Sequence, residues 1–167
     1  MAAPNRLWLT GITEHRTEER KLHLCAIKGC RSNRGVGYSI DERITAALAV
    51  AALRNTVAMR APVATVVYSV RGSQFVLDSS WMVLLATGLR GSMRRVGTCG
   101  DNAAMEWFVA LLQRNVLDPR HWATREELRI AIVIRIERTY HRHRRQRRLG
   151  RRTPIEFETI DQSALAA

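Results

Sequence analysis

Apolar and polar residues alternate through the first part of the chain. Leu7 and Leu9 open one such segment, which runs from Leu7 to Glu14, and Lys21 to Lys28 alternates clearly through Leu22, Leu24 and Ala26. A period of two puts successive side chains on opposite faces of a strand, so both segments are predicted strands. The polar Glu18-Glu19-Arg20 between them is the predicted hairpin turn, and Val36 to Ile40 is a third short strand. The spacing then becomes helical. Ile44, Leu48, Ala51 (or Ala52) and Val57 predict an Ala-rich helix over Ile44–Arg60, with Pro62 just beyond its end. Ala64 to Val70 is β-branched and almost wholly apolar, as a buried central strand is. Ser79 to Thr87 reads as a helix stopping at Gly88, and Met93 to Val96 as a fifth strand.

From Asp101 the pattern is helical again. Met105, Phe108, Val109, Leu112 and Val116 form one apolar stripe, while Asn102, Glu106 and Gln113 fall on another face. Thr124-x-x-Glu127 is a capping box that opens a last helix. Ile130, Ile132, Ile134 and Ile136 also alternate like a strand; the cap and the long Arg-rich continuation favour helix. Pro154 is expected to end that helix, and Asp161 to Ala167 to be a frayed tail. Three strands, helix, strand, helix, strand and then helices make an α/β protein: a mixed five-stranded sheet flanked by helices, with a basic helix at the C-terminal end. This is the layout of ribonuclease H-like folds. One domain is expected over residues 5–158, with a tail over 159–167.

At 167 residues the chain is long enough for one well-filled core. Its longest uncharged apolar stretch, Ile44 to Leu53, is too short to span a bilayer, and MAAPNRLWLT has no signal-peptide core. A cytoplasmic, non-membrane protein is therefore expected. Cys25, Cys30 and Cys99 have no zinc-like spacing and are expected to be reduced and packed as small apolar residues. The net charge is +12, and eight arginines with no acid between Arg138 and Arg152 supply +8 of it. Tyr140, His141, His143 and Gln146 are interleaved with them. Arg forks grip phosphate oxygens, so a polyanionic partner is expected there, first of all nucleic acid. A solvated, self-repelling segment is the alternative.

Four phrases sharpen this picture. They are Asn5-Arg6-Leu7-Trp8-Leu9-Thr10-Gly11-Ile12-Thr13, Ser69-Val70-Arg71-Gly72-Ser73-Gln74-Phe75, Gly100-Asp101-Asn102-Ala103-Ala104-Met105-Glu106-Trp107-Phe108, and the run from Tyr140-His141-Arg142-His143-Arg144 through Leu149-Gly150 to Thr153-Pro154-Ile155-Glu156-Phe157. In this order and at this spacing they resemble the integrase-type catalytic core of insertion-element transposases of the DDE class, from about Asn5 to Glu158. The resemblance implies phosphoryl transfer on DNA. Three carboxylates would hold two divalent ions, Mg²⁺ or Mn²⁺, that activate the attacking oxygen and stabilise the leaving one. It also implies DNA as partner, with self-association or co-assembly with an intact transposase.

At the decisive positions the sequence departs from that family. Gly11 stands at the first-strand Asp, Val70 at the second Asp, and only Glu106 keeps its acid. Gly29, Arg31 and Gly35 replace the family's Asp, Phe and Ile at the turn before the third strand, and an Arg at an aromatic core site is costly to bury. Glu14, Asp78 and Asp101 are poor substitutes: Glu14 lies on the opposite strand face by parity, Asp78 lies beyond a turn, and Asp101 suits a helix N-cap. One carboxylate does not organise two metal ions, so loss of catalysis is expected. Arg71, Ser73, Gln74, Asn102, Arg142, Arg144, Arg145, Arg147 and Arg148 are the expected DNA contacts. Trp8 and Trp107 are expected in the core. The first strand begins within ten residues of Met1, so the helical DNA-binding region that the family carries upstream is expected to be missing. The other reading is a non-catalytic DNA-binding or regulatory module acting on DNA or on an intact transposase.

Overall fold

The structure, a computed structural model, describes residues 5–69, 83, 84, 86–92 and 101–166, with side chains except at 101, 102 and 163–166. Strands β1 (Leu7–Arg16) and β2 (Lys21–Gly29) form the expected antiparallel hairpin, with Trp8 opposite Gly29 and Arg16 opposite Lys21. The polar turn is closed by Thr17, whose Oγ1 donates to the Arg20 carbonyl. Strand β3 (Gly35–Asp41) pairs antiparallel with β2, and β4 (Val66–Tyr68) and β5 (Arg90–Ser92) pair parallel beyond β1. The sheet order is β3-β2-β1-β4-β5. The mixed five-stranded sheet expected from the element order is therefore present. The described fifth strand is Arg90–Ser92, whereas the expected Met93–Val96 lies outside the described residues, as does most of the Ser79–Thr87 helix; residues 83, 84 and 86 are helical.

Strand parity divides the core. Trp8, Cys25, Ile27, Val36 and Val67 face helix α1 (Ala46–Arg60), meeting Leu48, Ala49, Ala52 and Leu53. Leu22, Leu24 and Ala26 face the opposite way, onto α2 (Asp101–Leu112, continued by a wider π turn over Gln113–Leu117) and α3 (Arg125–Ile134, continued by a π segment over Arg135–Tyr140). The isoleucine run that reads ambiguously is helical. Leu128, Ile132 and Ile136 bury at i, i+4 spacing, while Ile130 and Ile134 stay exposed. The Thr124 side chain caps the helix by accepting from the Glu127 N–H at 3.1 Å. The small residues of α1 allow close docking on β3. A Cβ added at Gly37 would lie 2.0 Å from Thr56 Oγ1 and 2.9 Å from its Cα, so glycine is required there by the approach of the helix itself.

Two C-terminal expectations are corrected. The Arg-rich run is not one basic helix. Helix ends at Arg142, and the chain folds back through a short 3₁₀ turn at Arg147–Leu149, closed by an antiparallel bridge between Gln146 and Arg152. Gly150 and Arg151 turn the chain at φ 65° and 62°. Like charges stacked at helical spacing repel, and this loop spreads them while burying Gln146 and Leu149. Pro154 then opens a helix, α4 (Pro154–Ala166), rather than closing one. Its missing N–H is unneeded in a first turn, and Thr153 and Glu156 cap each other reciprocally at 2.9 and 3.2 Å. The segment expected to fray, from Asp161, is thus helical as far as Ala166.

Candidate functional site

The first-strand phrase places Gly11 in the middle of β1, opposite Ala26 of β2 and on the sheet face covered by α2. A Cβ at Gly11 would lie 2.9 Å from Met105 Cγ and 3.0 Å from Met105 Cε. The space that a side chain at position 11 would enter is therefore occupied by the thioether of Met105, which is buried. Glu106 follows Met105 on α2 and is exposed. Glu14, the nearest other acid on the strand, faces the opposite side, as parity predicts. It accepts from Lys21 Nζ at 2.7 Å and lies 3.4 Å from His23 Nε2. The hydrogen bond from Lys21 holds its carboxyl below the usual range against the opposing effect of desolvation, with the Lys21 charge and His23 adding to the lowering. Among the described residues no group of three or more His, Cys, Asp or Glu could hold a metal ion. Two-metal chemistry needs several hard oxygen donors converging on one point; at this place the described donors are one acid beside a methionine. The described residues at this place do not by themselves fit a pair of such ions. Val70, Arg71, Ser73 and Gln74 lie outside the described residues, as do the side chains of Asp101 and Asn102.

A second assembly joins the turn after β2 to the C-terminal phrases. Glu158 of α4 is buried. It accepts from Ser32 Oγ at 2.6 Å, Arg34 Nη1 at 2.8 Å and Arg60 Nη2 at 2.6 Å. Burial would raise its pKa, but these donors outweigh burial and hold it below the ordinary value. Arg31, expected to be costly at an aromatic position, stays partly exposed and forms a fork with Asp161 at 2.5 and 2.8 Å. Tyr140 donates to the Asn33 carbonyl at 2.7 Å, and Asn33 Nδ2 donates to Gln146 Oε1 at 2.9 Å. The two phrases that read separately in the sequence are thus one docking cluster, which fixes where the arginines sit.

Of those arginines, Arg142, Arg145, Arg147 and Arg148 are exposed and Arg144 is half-buried. Arg144, Arg145, Arg147 and Arg148 line one wall of a cleft of about 650 Å³ whose other wall is the start of α2. Trp107 is not in the core, unlike Trp8. It is 41% exposed, with the Arg144 guanidinium 4.9 Å and Lys28 Nζ 5.8 Å from its ring centre. Its position next to Glu106, off the Met105–Phe108–Leu112 stripe, puts it outside. Lys28 lies deep in the cleft, 1% exposed, and donates to the Ala104 carbonyl at 2.9 Å. Burial first, and then the charge of Arg148, push its pKa down to about 7. Sequence reasoning missed Lys28, although a signal existed: it shares strand parity with Leu22, Leu24 and Ala26, so a charge falls on a core-facing position. Cys25 is a free buried thiol, and Cys30 is also buried.

A mixed β3-β2-β1-β4-β5 sheet with helices on both faces defines a ribonuclease H-like scaffold. The integrase core domain family model matches residues 2–99, more than half of the chain, and the chain belongs to that family. It is 35% identical over 156 residues to the insertion element IS600 uncharacterized 31 kDa protein of Shigella sonnei, covering 93% of this chain and 57% of that protein. It is 34% identical over 158 residues to transposase InsF for insertion sequence IS3A of Escherichia coli strain K12, covering 94% and 55%. The chain thus spans little more than half the length of these relatives. Among solved structures, the HTLV-2 integrase catalytic core domain in complex with magnesium superposes with a TM-score of 0.68 at 13% identity, covering 93% of this chain and 97% of that one. The catalytic core domain of BIV integrase superposes at 0.67 and 13%, covering 98% and 99%. The likeness to these solved cores supports the fold. Among the described residues no helix is long and apolar enough to cross a membrane.

Proposed function

We propose that this chain is an integrase-core homologue that has lost metal-dependent strand transfer and acts by binding DNA through its Arg-rich C-terminal face. The observation that carries the first half is the contact between Gly11 and Met105: a first-strand carboxylate is missing and its space is filled. Valine at position 70 has no lone pair to offer a metal, which leaves Glu106 as the acid of the three family positions. The second half rests on the exposed guanidinium groups of Arg145, Arg147 and Arg148 along one cleft wall, with Arg142 exposed as well, and on the Asn33–Gln146 contact that docks their loop. Cations of this kind contact phosphates without reading bases, so binding should be indifferent to sequence and weaken steeply with salt.

Two assays on the purified chain test the two halves. Incubation of DNA ends with Mg²⁺ or Mn²⁺ should give neither cleavage nor joining; cleavage that survives purification and disappears in Glu106→Gln overturns the loss of chemistry. A gel-shift titration from low to moderate salt should show binding that falls with a steep log–log slope. Absence of binding at low salt overturns the DNA-binding half.

A further inference from the structure

The cleft between α2 and the Arg-rich loop is more than a charged wall. Five cations line it: Lys28, Arg144, Arg145, Arg147 and Arg148, with no acid among the described lining residues. Lys28 Nζ has three N–H donors and gives one to the Ala104 carbonyl. The remaining Lys28 donors and the exposed guanidinium groups of Arg145, Arg147 and Arg148 suit an acceptor that brings several oxygens and negative charge. The low pKa of Lys28 is in keeping with that: burial and Arg148 both disfavour its charge, and an anion in the cleft would oppose both effects. Beside these groups Trp107 leaves 41% of its surface exposed. The volume, about 650 Å³, lies in the range of roughly 300–1,000 Å³ typical of clefts that enclose a small-molecule-sized group.

We propose that this cleft binds an unpaired nucleotide of a DNA strand, its phosphate against Lys28 and Arg148, and its base stacked on Trp107. The proposal rests on the DNA-binding reading above and gives it a strand preference. Duplex DNA offers phosphates but keeps its base faces stacked inside, whereas an unpaired nucleotide offers both groups that the cleft can meet.

The test uses the whole chain and three probes at equal salt: a single-stranded oligothymidylate, the same backbone made abasic, and a blunt duplex. Binding of the oligothymidylate should quench tryptophan emission and be tighter than binding of the abasic strand. In Trp107→Leu, a change at an exposed position, its affinity should fall about tenfold, the size of one stacked base, with duplex affinity within about twofold of the unmodified chain. Arg142→Ala, outside the cleft, should weaken all three probes alike. Equal binding of the abasic and thymidylate strands, or an unchanged thymidylate affinity in Trp107→Leu, overturns the nucleotide site while leaving general DNA binding intact. Failure of the unmodified chain to bind any probe at low salt overturns both readings together.

Discussion

Adding one methyl group at position 11 probes the filled site directly. Gly11 is not in the left-handed backbone region, so an alanine there meets no conformational objection. Its Cβ would, however, lie 2.9 Å from Met105 Cγ and 3.0 Å from Cε. Cε can swing aside, but Cγ is held close to the helix backbone. Overpacking of this kind costs about 1–3 kcal/mol, and replacing a strand glycine returns roughly 0.5–1 kcal/mol. Gly11→Ala should therefore destabilise the chain by about 0.5–2 kcal/mol. Met105→Ala alone removes a buried side chain and should cost about 2–5 kcal/mol. In the Met105→Ala background the added methyl enters vacated space, so Gly11→Ala should become stabilising. The expected coupling is about 1–3 kcal/mol, favourable to the double variant. Urea denaturation of the four proteins, with matching m-values, measures it. Additivity within roughly 0.5 kcal/mol would refute the claim that Met105 fills the space over Gly11.

Other consequences follow from the same packing. Glu158→Ala leaves Arg34 and Arg60 without their shared carboxylate and should cost about 3 kcal/mol or more in denaturant. Because the Glu158 pKa is lowered in the fold, its stabilisation is present above the ordinary value of 4.5 and is lost as pH falls through the folded value; the Glu158→Ala protein should lack that part of the acid transition. Lys28 has the opposite sign of linkage: the unfolded chain binds its proton up to about pH 10.5 and the folded chain only to about 7. Stability should therefore rise across that window, by at most about 1.4 kcal/mol per pH unit, and thermal melts between pH 7 and 9.5 should lose this component in Lys28→Met. Equal slopes in the two proteins would contradict the burial of Lys28. Gly37→Ala should unfold the α1–β3 contact, and Thr56→Ala should rescue it only in part, because Thr56 Cα as well as Oγ1 is in the way; full rescue in a melt would refute this.

The sheet was legible because its strands alternate cleanly. Leu22, Leu24 and Ala26 point to one core and Cys25 and Ile27 to the other, which is what period two requires. The family phrases were legible as local strings. Contacts between distant strings were not. Nothing near Gly11 in the chain reveals that Met105, on a helix more than ninety residues later, covers it. The Arg-rich run misled for a related reason. Its composition continues the helix pattern, but the turn at Gly150 and Arg151 and the pairing of Gln146 with Arg152 are set by docking on the β2–β3 turn. Pro154 was read as a stop because a proline ends a helix as readily as it begins one; the Thr153–Glu156 cap decides between them. Trp107 departs from the expected core position because its helix phase puts it beside Glu106 and away from the buried stripe.

The central claim is that the integrase-core metal site is no longer present in this chain. Manganese is the direct probe, because bound and free Mn²⁺ differ in their electron paramagnetic resonance signal. Titration of the unmodified chain should show no stoichiometric Mn²⁺ site, and Glu106→Gln should leave the titration unchanged. A tight site on the unmodified chain that Glu106→Gln removes would contradict the account.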